Sequence, residues 1–195
     1  LGVPIESVKC YFPDTQSHPY DWQTVASRSC WSMGMAVKRA AVDAREKILA
    51  LFSRYWQVVP EEITIEHGVV KCRKLGKAEK LDERIQNGFH MPDGEHVGGP
   101  VIGTGTFVPP DVVYPDPETG QSPKSVVHFT VGAVGIDIEV DPATGEVCVN
   151  NVVAGYDVGK AISPINVRGQ IEGGTIQGIS AGSWRGCTTT STASC

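Results

Sequence analysis

Long hydrophobic runs are missing from this 195-residue chain. None approaches the ~20 apolar residues that span a bilayer, so no membrane span is expected, and no signal-peptide pattern stands at the start. Positive charge is scarce as well. The net charge is −5, and gripping nucleic-acid phosphates needs a concentrated basic face, so no nucleic-acid partner is expected. The one basic stretch, KCRKLGKAEK at 71–80, reads as a solvated loop. The six cysteines lack C-x-x-C spacing and close histidine partners, which predicts buried free thiols in a reducing, cytoplasmic compartment. The five histidines include no i, i+4 pair on a helix, so no metal ligands are assigned to them. His90 and His96 flank a Pro-Asp-Gly turn and read as solvated. An initiating methionine is absent too: the chain opens on Leu1 in a register like the inside of a domain, and is expected to be a fragment.

Several short motifs lack the context their chemistry requires. GYDVGK (155–160) is one residue short of a phosphate loop, and Ala161 stands where Ser or Thr would hold magnesium. GQIEGG lacks dinucleotide-binding spacing, and GTGTF (103–107) opens no helix. GISAG (178–182) matches a nucleophile elbow and would make Ser180 a serine-hydrolase nucleophile. That motif needs a strand before it and an acid and a histidine after it, yet no Asp, Glu or His follows Glu172. The hydrolase stands only as a remote alternative.

What is present fits a globular domain, at 41% hydrophobic and 20% charged residues. Apolar residues at 33, 37, 40/41, 44, 48 and 51 predict one helical face, capped by Ser29 or Ser32 and ending near Trp56. EEITIEHGVVKC predicts a hairpin turning at Gly68, and 73–125 reads as a long surface excursion. Alternation through Val134, Ile136, Ile138 and Val140 predicts a strand that returns across D-P-A-T-G-E as VCVNNVVAGYDVG. A glycine-rich helix follows Pro164, although interior glycine costs roughly 1 kcal/mol against alanine.

Two stretches invite a ligand. TVASRS (24–29) runs small residues into a helix start, where free N–H groups and the helix dipole favour an anion. Gln170, with donor and acceptor, sits among glycines that let a ligand approach the backbone. A flat ligand with amide edges and a phosphate would use both. Glycines that merely permit close helix–sheet packing are the equal alternative.

Taken together, PDTQSHPYDWQTVASRSCWSMGMAVKRAA, GPVIGTGTFVPP and GAVGIDIEVDPATGEVCVNNVVAGYDVGKAISPINVRGQIEGGTIQGIS resemble, in order and spacing, the molybdopterin-binding region of the molybdenum hydroxylases, the xanthine dehydrogenase and aldehyde oxidase family. The resemblance covers about residues 1–182, and is notable for the bacterial members with a separate large subunit. It implies an α+β fold, helices packed on a mixed or antiparallel sheet within a larger molybdopterin-binding domain. It implies a molybdenum–molybdopterin cofactor, in some members the cytosine dinucleotide form, with 2Fe-2S clusters and FAD on partner domains or subunits. The implied reaction hydroxylates a small-molecule aldehyde or N-heterocycle with oxygen from water.

By motif, Ala26, Ser27 and Ser29 would meet the pterin and its phosphate, and Gln170 would bind the cofactor near the metal. Such residues position the cofactor, which does the chemistry. No catalytic residue is assigned, because the family's general base lies beyond the matching motifs, and the fragment alone is expected to be inactive. Gln23 replaces a customary glycine, and Ser163-Pro164 replaces the commoner Asn-Pro. The tail SWRGCTTTSTASC (183–195) does not resemble the family and reads as out of frame or as a disordered Ser/Thr tail. The alternative to a cofactor-binding fragment is a truncated, non-catalytic remnant.

Overall fold

A single stripe on one helix organises the first part of the chain. Helix α1 (Gly34–Trp56) presents Ala36, Ala40, Ala44, Ile48, Phe52 and Trp56 at four-residue steps, small in the first half and large in the second. The large half is buried, with Phe52 at 0% exposure. Met33 and Val37, expected on the inner face, are exposed instead, and the buried stripe is offset from the predicted one. The helix ends as predicted, with Gln57 in the left-handed region (φ 56°) donating its N–H to the Ser53 carbonyl.

The large half faces a three-stranded antiparallel sheet of β1 (Ile63–Glu66), β2 (Val69–Cys72) and β3 (Lys77–Lys80), in the order β1-β2-β3. The predicted hairpin turns at His67 and Gly68, whose φ values of 51° and 76° suit the tight turn that matches strand twist. Ile63, Ile65, Val70 and Cys72 alternate into the core beside Ile48, Phe52 and Trp56. Leu81 of α2 (Leu81–Asn87), Phe89 of β4 (Phe89–His90) and Met91 complete it, and β5 (His96–Val97) pairs with β4.

Residues 71–80 are thus not a loop, and 73–125 is not wholly an excursion. Lys77, Ala78, Glu79 and Lys80 form an edge strand, where a polar sequence protects the open edge and hides the alternation. Glu79 ties the edge down, accepting from Trp56 Nε1 (3.2 Å) and Arg84 Nε (2.6 Å). The thiols also differ from expectation: Cys72 is buried, while Cys10, Cys30 and Cys148 are free and exposed.

The computed structural model describes residues 1–11, 14–16, 18–21 and 23–183, which divide into two units, Leu1–Pro110 and Asp111–Cys195. In the second, β6 (Val131–Val140) pairs antiparallel with β7 (Val147–Asp157) across the expected turn. Asp137 pairs with Asn151 and Ile138 with Val149, so Asn150 is an extra, bulged residue. The bulge keeps Val134, Ile136, Ile138 and Val140 opposite Ala154, Val152, Val149 and Val147, on one apolar face. Helix α3 (Pro164–Ser183) follows, and its last residue is Ser183, the first of the predicted tail. The rest of that tail, 184–195, lies outside the described residues, as do Cys187 and Cys195. The fold is α+β as expected, and every pair of described strands is antiparallel.

Candidate functional site

The stretch before α1 is bent by its own backbone. Ala26 (φ 50°) and Ser27 (φ 54°) both lie in the left-handed region, which residues with a side chain rarely occupy. Arg28 reverses the bend (φ −79°, ψ −20°), and its N–H donates to the Val25 carbonyl at 3.1 Å. The chain then enters a π-helical turn, Ser29–Met33, that leads into α1. Ala26 and Ser27 are exposed residues, and their N–H groups meet no acceptor among the described residues. They stand ahead of a long helical run whose dipole favours negative charge.

Neither serine caps this run. Ser29 Oγ donates to Thr24 Oγ1 (3.2 Å), and Ser32 Oγ, buried, accepts from Arg28 Nη2 (3.4 Å). The extra residue of the π turn moves the helix start and takes both hydroxyls off the cap position. Arg28 also donates from Nη1 to the Gln23 carbonyl (3.1 Å) and lies 3.5 Å from the Asp21 carboxylate, stitching the loop together.

The small half of the α1 stripe has its own partner, which the sequence did not reveal. Segment 101–107 runs along it at backbone contact. A Cβ on Gly105 would collide with the Ala36 carbonyl oxygen and the Ala40 nitrogen, and one on Gly103 with the Ala40 carbonyl oxygen. Three charged side chains of α1 pin the segment. Arg39 Nη1 donates to the Thr106 carbonyl (2.6 Å), Lys47 Nζ to the Ile102 carbonyl (2.9 Å), and the Thr104 N–H to Asp43 Oδ2 (2.7 Å). Hydrogen bonds from Lys47 and then Thr104 hold the Asp43 carboxyl below the usual carboxylate range, so the clamp is ionised at neutral pH. G-x-G opposite alanines spaced by four is the signal that could have exposed this packing.

In the second unit Gln170 is exposed on α3, and its side chain makes no hydrogen bond among the described residues. A Cβ added at Gly169, Gly173, Gly174, Gly178 or Gly182 would meet nothing within 4 Å, so among the described residues no close packing explains these glycines. Glu172 is occupied, its Oε1 accepting from Arg168 Nε at 2.7 Å. Ser180 lies inside α3 and not on a strand-to-helix turn, which removes the nucleophile elbow and with it the hydrolase reading. His90 and His96 are exposed cross-strand partners with ring centroids 4.3 Å apart.

Residues 1–189 match the family model described as the molybdopterin cofactor-binding domain. The chain belongs to that family. It is 27% identical over 182 residues to the nicotine 6-hydroxylase large subunit of Paenarthrobacter nicotinovorans, covering 93% of this chain and 21% of that protein. It is 26% identical over 179 residues to the carbon monoxide dehydrogenase large chain of Hydrogenophaga pseudoflava, covering 91% and 20%. A putative xanthine dehydrogenase molybdenum-binding subunit of Escherichia coli (strain K12) is 25% identical over 182 residues, covering 92% and 22%. The chain therefore spans about a fifth of the length of these relatives.

The donor set of this molybdopterin cofactor-binding domain fits such a group. In the first unit, two N–H groups with no acceptor among the described residues, ahead of a helical run, suit a phosphate. In the second, taken by itself, an exposed amide side chain beside bare glycines suits the hydrogen-bonding edge of a pterin. The domain brings Ala26, Ser27 and Ser29 together in its first unit and carries Gln170 in its second. Among the described residues no group of three or more His, Cys, Asp or Glu side chains is placed to hold a metal ion. No helix of the described residues is long and apolar enough to cross a membrane.

Proposed function

We propose that residues 1–182 form part of the cofactor cage in the large subunit of a molybdenum hydroxylase. The observation that carries this reading is the pair of N–H groups at the exposed residues Ala26 and Ser27, which meet no acceptor among the described residues, inside a match to a molybdopterin-binding family. Ala26 and Ser27 donate backbone N–H groups to the cofactor phosphate, and the Ser27 and Ser29 hydroxyls bind beside them. Gln170 hydrogen-bonds the pterin close to the metal, using both faces of its amide. None of the four moves a proton; they hold and orient the group. When bound, the molybdenum–molybdopterin cofactor, which some members carry in the cytosine dinucleotide form, supplies two-electron hydroxylation of an aldehyde or N-heterocycle with oxygen from water. The electrons leave to 2Fe-2S clusters and FAD on partner subunits or domains of the same complex.

Gln170→Leu tests the reading. Leucine is a good helix former on an exposed position, so α3 should persist. A lost hydrogen bond worth roughly 0.5–1.5 kcal/mol weakens binding by up to about tenfold. Chain purified from a host that makes the cofactor should then carry several-fold less pterin, read by fluorescence after oxidation. Equal pterin in both chains would remove Gln170 from the site.

A further inference from the structure

Segment 101–107 does more than cover α1. It runs antiparallel to the helix, with Gly103 against Ala40 and Ala44, Gly105 against Ala36 and Ala40, and Phe107 against Trp31. Two extended residues advance about 6.6 Å and four helical residues about 6.0 Å, so the two elements stay in register along this length. The run ends where the Phe107 ring meets Trp31 edge-on, with centroids 5.7 Å apart at 87°. Arg39 also lies over that ring, its guanidinium carbon 5.1 Å from the centroid while its Nη1 bonds the Thr106 carbonyl. Trp31 sits in the middle of the π-helical turn Ser29–Met33.

A π turn carries one residue more than the α register and persists only where its surroundings hold it. Relaxing it to α register would rotate everything before it by about 100° about the helix axis, since one residue is 1/3.6 of a turn. The Ala26 and Ser27 N–H groups would then point elsewhere. We infer that Phe107, clamped by Arg39, is a positioning residue that locks the π turn through Trp31 and so sets the aim of the Ala26 and Ser27 donors. The locking stands on the packing alone; only the use of those donors rests on the proposed cofactor reading.

The test compares Phe107→Ala with Phe107→Tyr in the full chain, by amide exchange and by pterin content. The π turn is reported by the Gly34 N–H, which reaches back five residues to the Ser29 carbonyl and also meets the Trp31 carbonyl. The Ser32 N–H, on the Arg28 carbonyl four residues back, reports the entry to the turn. Phe107→Ala should raise exchange at Ser32 and Gly34 at least tenfold and leave the Ile48–Trp56 amides unchanged. Phe107→Tyr, which keeps the ring, should restore the original rates. Unchanged exchange at Ser32 and Gly34 in Phe107→Ala, or a rise spread over all of α1, overturns the lock. Pterin content is read separately. A released turn with pterin retained overturns the aiming of the donors, while pterin lost in Phe107→Ala but kept in Gln170→Leu supports it and discards only Gln170.

Discussion

One methyl group at Gly105 should lift segment 101–107 off helix α1. The added Cβ of Gly105→Ala would collide with the Ala36 carbonyl oxygen and the Ala40 nitrogen, both helix backbone, which cannot rotate away as a side chain can. The segment must move, and the bonds from Arg39 to Thr106, from Lys47 to Ile102 and from Thr104 to Asp43 stretch together. Overpacking of this kind costs about 1–3 kcal/mol, and more when the obstacle is rigid. The contrast lies in α3, where the same exchange at Gly173 meets nothing within 4 Å and should stabilise that helix by about 1 kcal/mol. Urea unfolding of the two variants should therefore shift in opposite directions. A Gly105→Ala chain within about 0.5 kcal/mol of the original would mean that the segment is not seated as described.

Phe52→Ala should be the most damaging single change in the first unit. Phe52 is fully buried and is the hub of the aromatic cluster, edge-on to Trp56 at 4.9 Å and to Phe89 at 5.2 Å. It sits where the helix meets the sheet, so neither element can close the cavity without losing its other contacts. Such truncations cost about 3–5 kcal/mol, a large part of the 5–15 kcal/mol that stabilises a typical domain. The urea midpoint should fall with the slope unchanged. A loss under about 1 kcal/mol would show that this cluster is not the core.

The elements that carry their own period were legible in the sequence. Helix α1, the β1–β2 hairpin, the β6–β7 pair and α3 each span enough residues for a repeat of 3.6 or 2 to stand out. Strand β3 was not, because an edge strand of lysine, alanine and glutamate has no apolar face to display. Strands β4 and β5 are two residues each, too short for any pattern, though they bring Phe89 into the core. The inner face of α1 was misread by one position at its start, since alanine is needed there to admit the backbone of Gly103 and Gly105. That partner lies some sixty positions away, and no local window could supply it.

The proposed site was legible in a different sense. Family motifs pointed to Ala26, Ser27, Ser29 and Gln170 as the proposed contacts, but the left-handed backbone of the first two, whose N–H groups meet no acceptor among the described residues, is announced by neither Ala nor Ser. Phe107 was invisible for the same reason as its glycines: its role comes from where a distant segment ends.

The most direct measurement is the molybdenum and pterin content of this chain purified from a host that makes the cofactor. The account predicts both together, in a constant ratio and in proportion to protein. A chain that folds yet carries neither would contradict it and would leave the non-catalytic remnant as the reading.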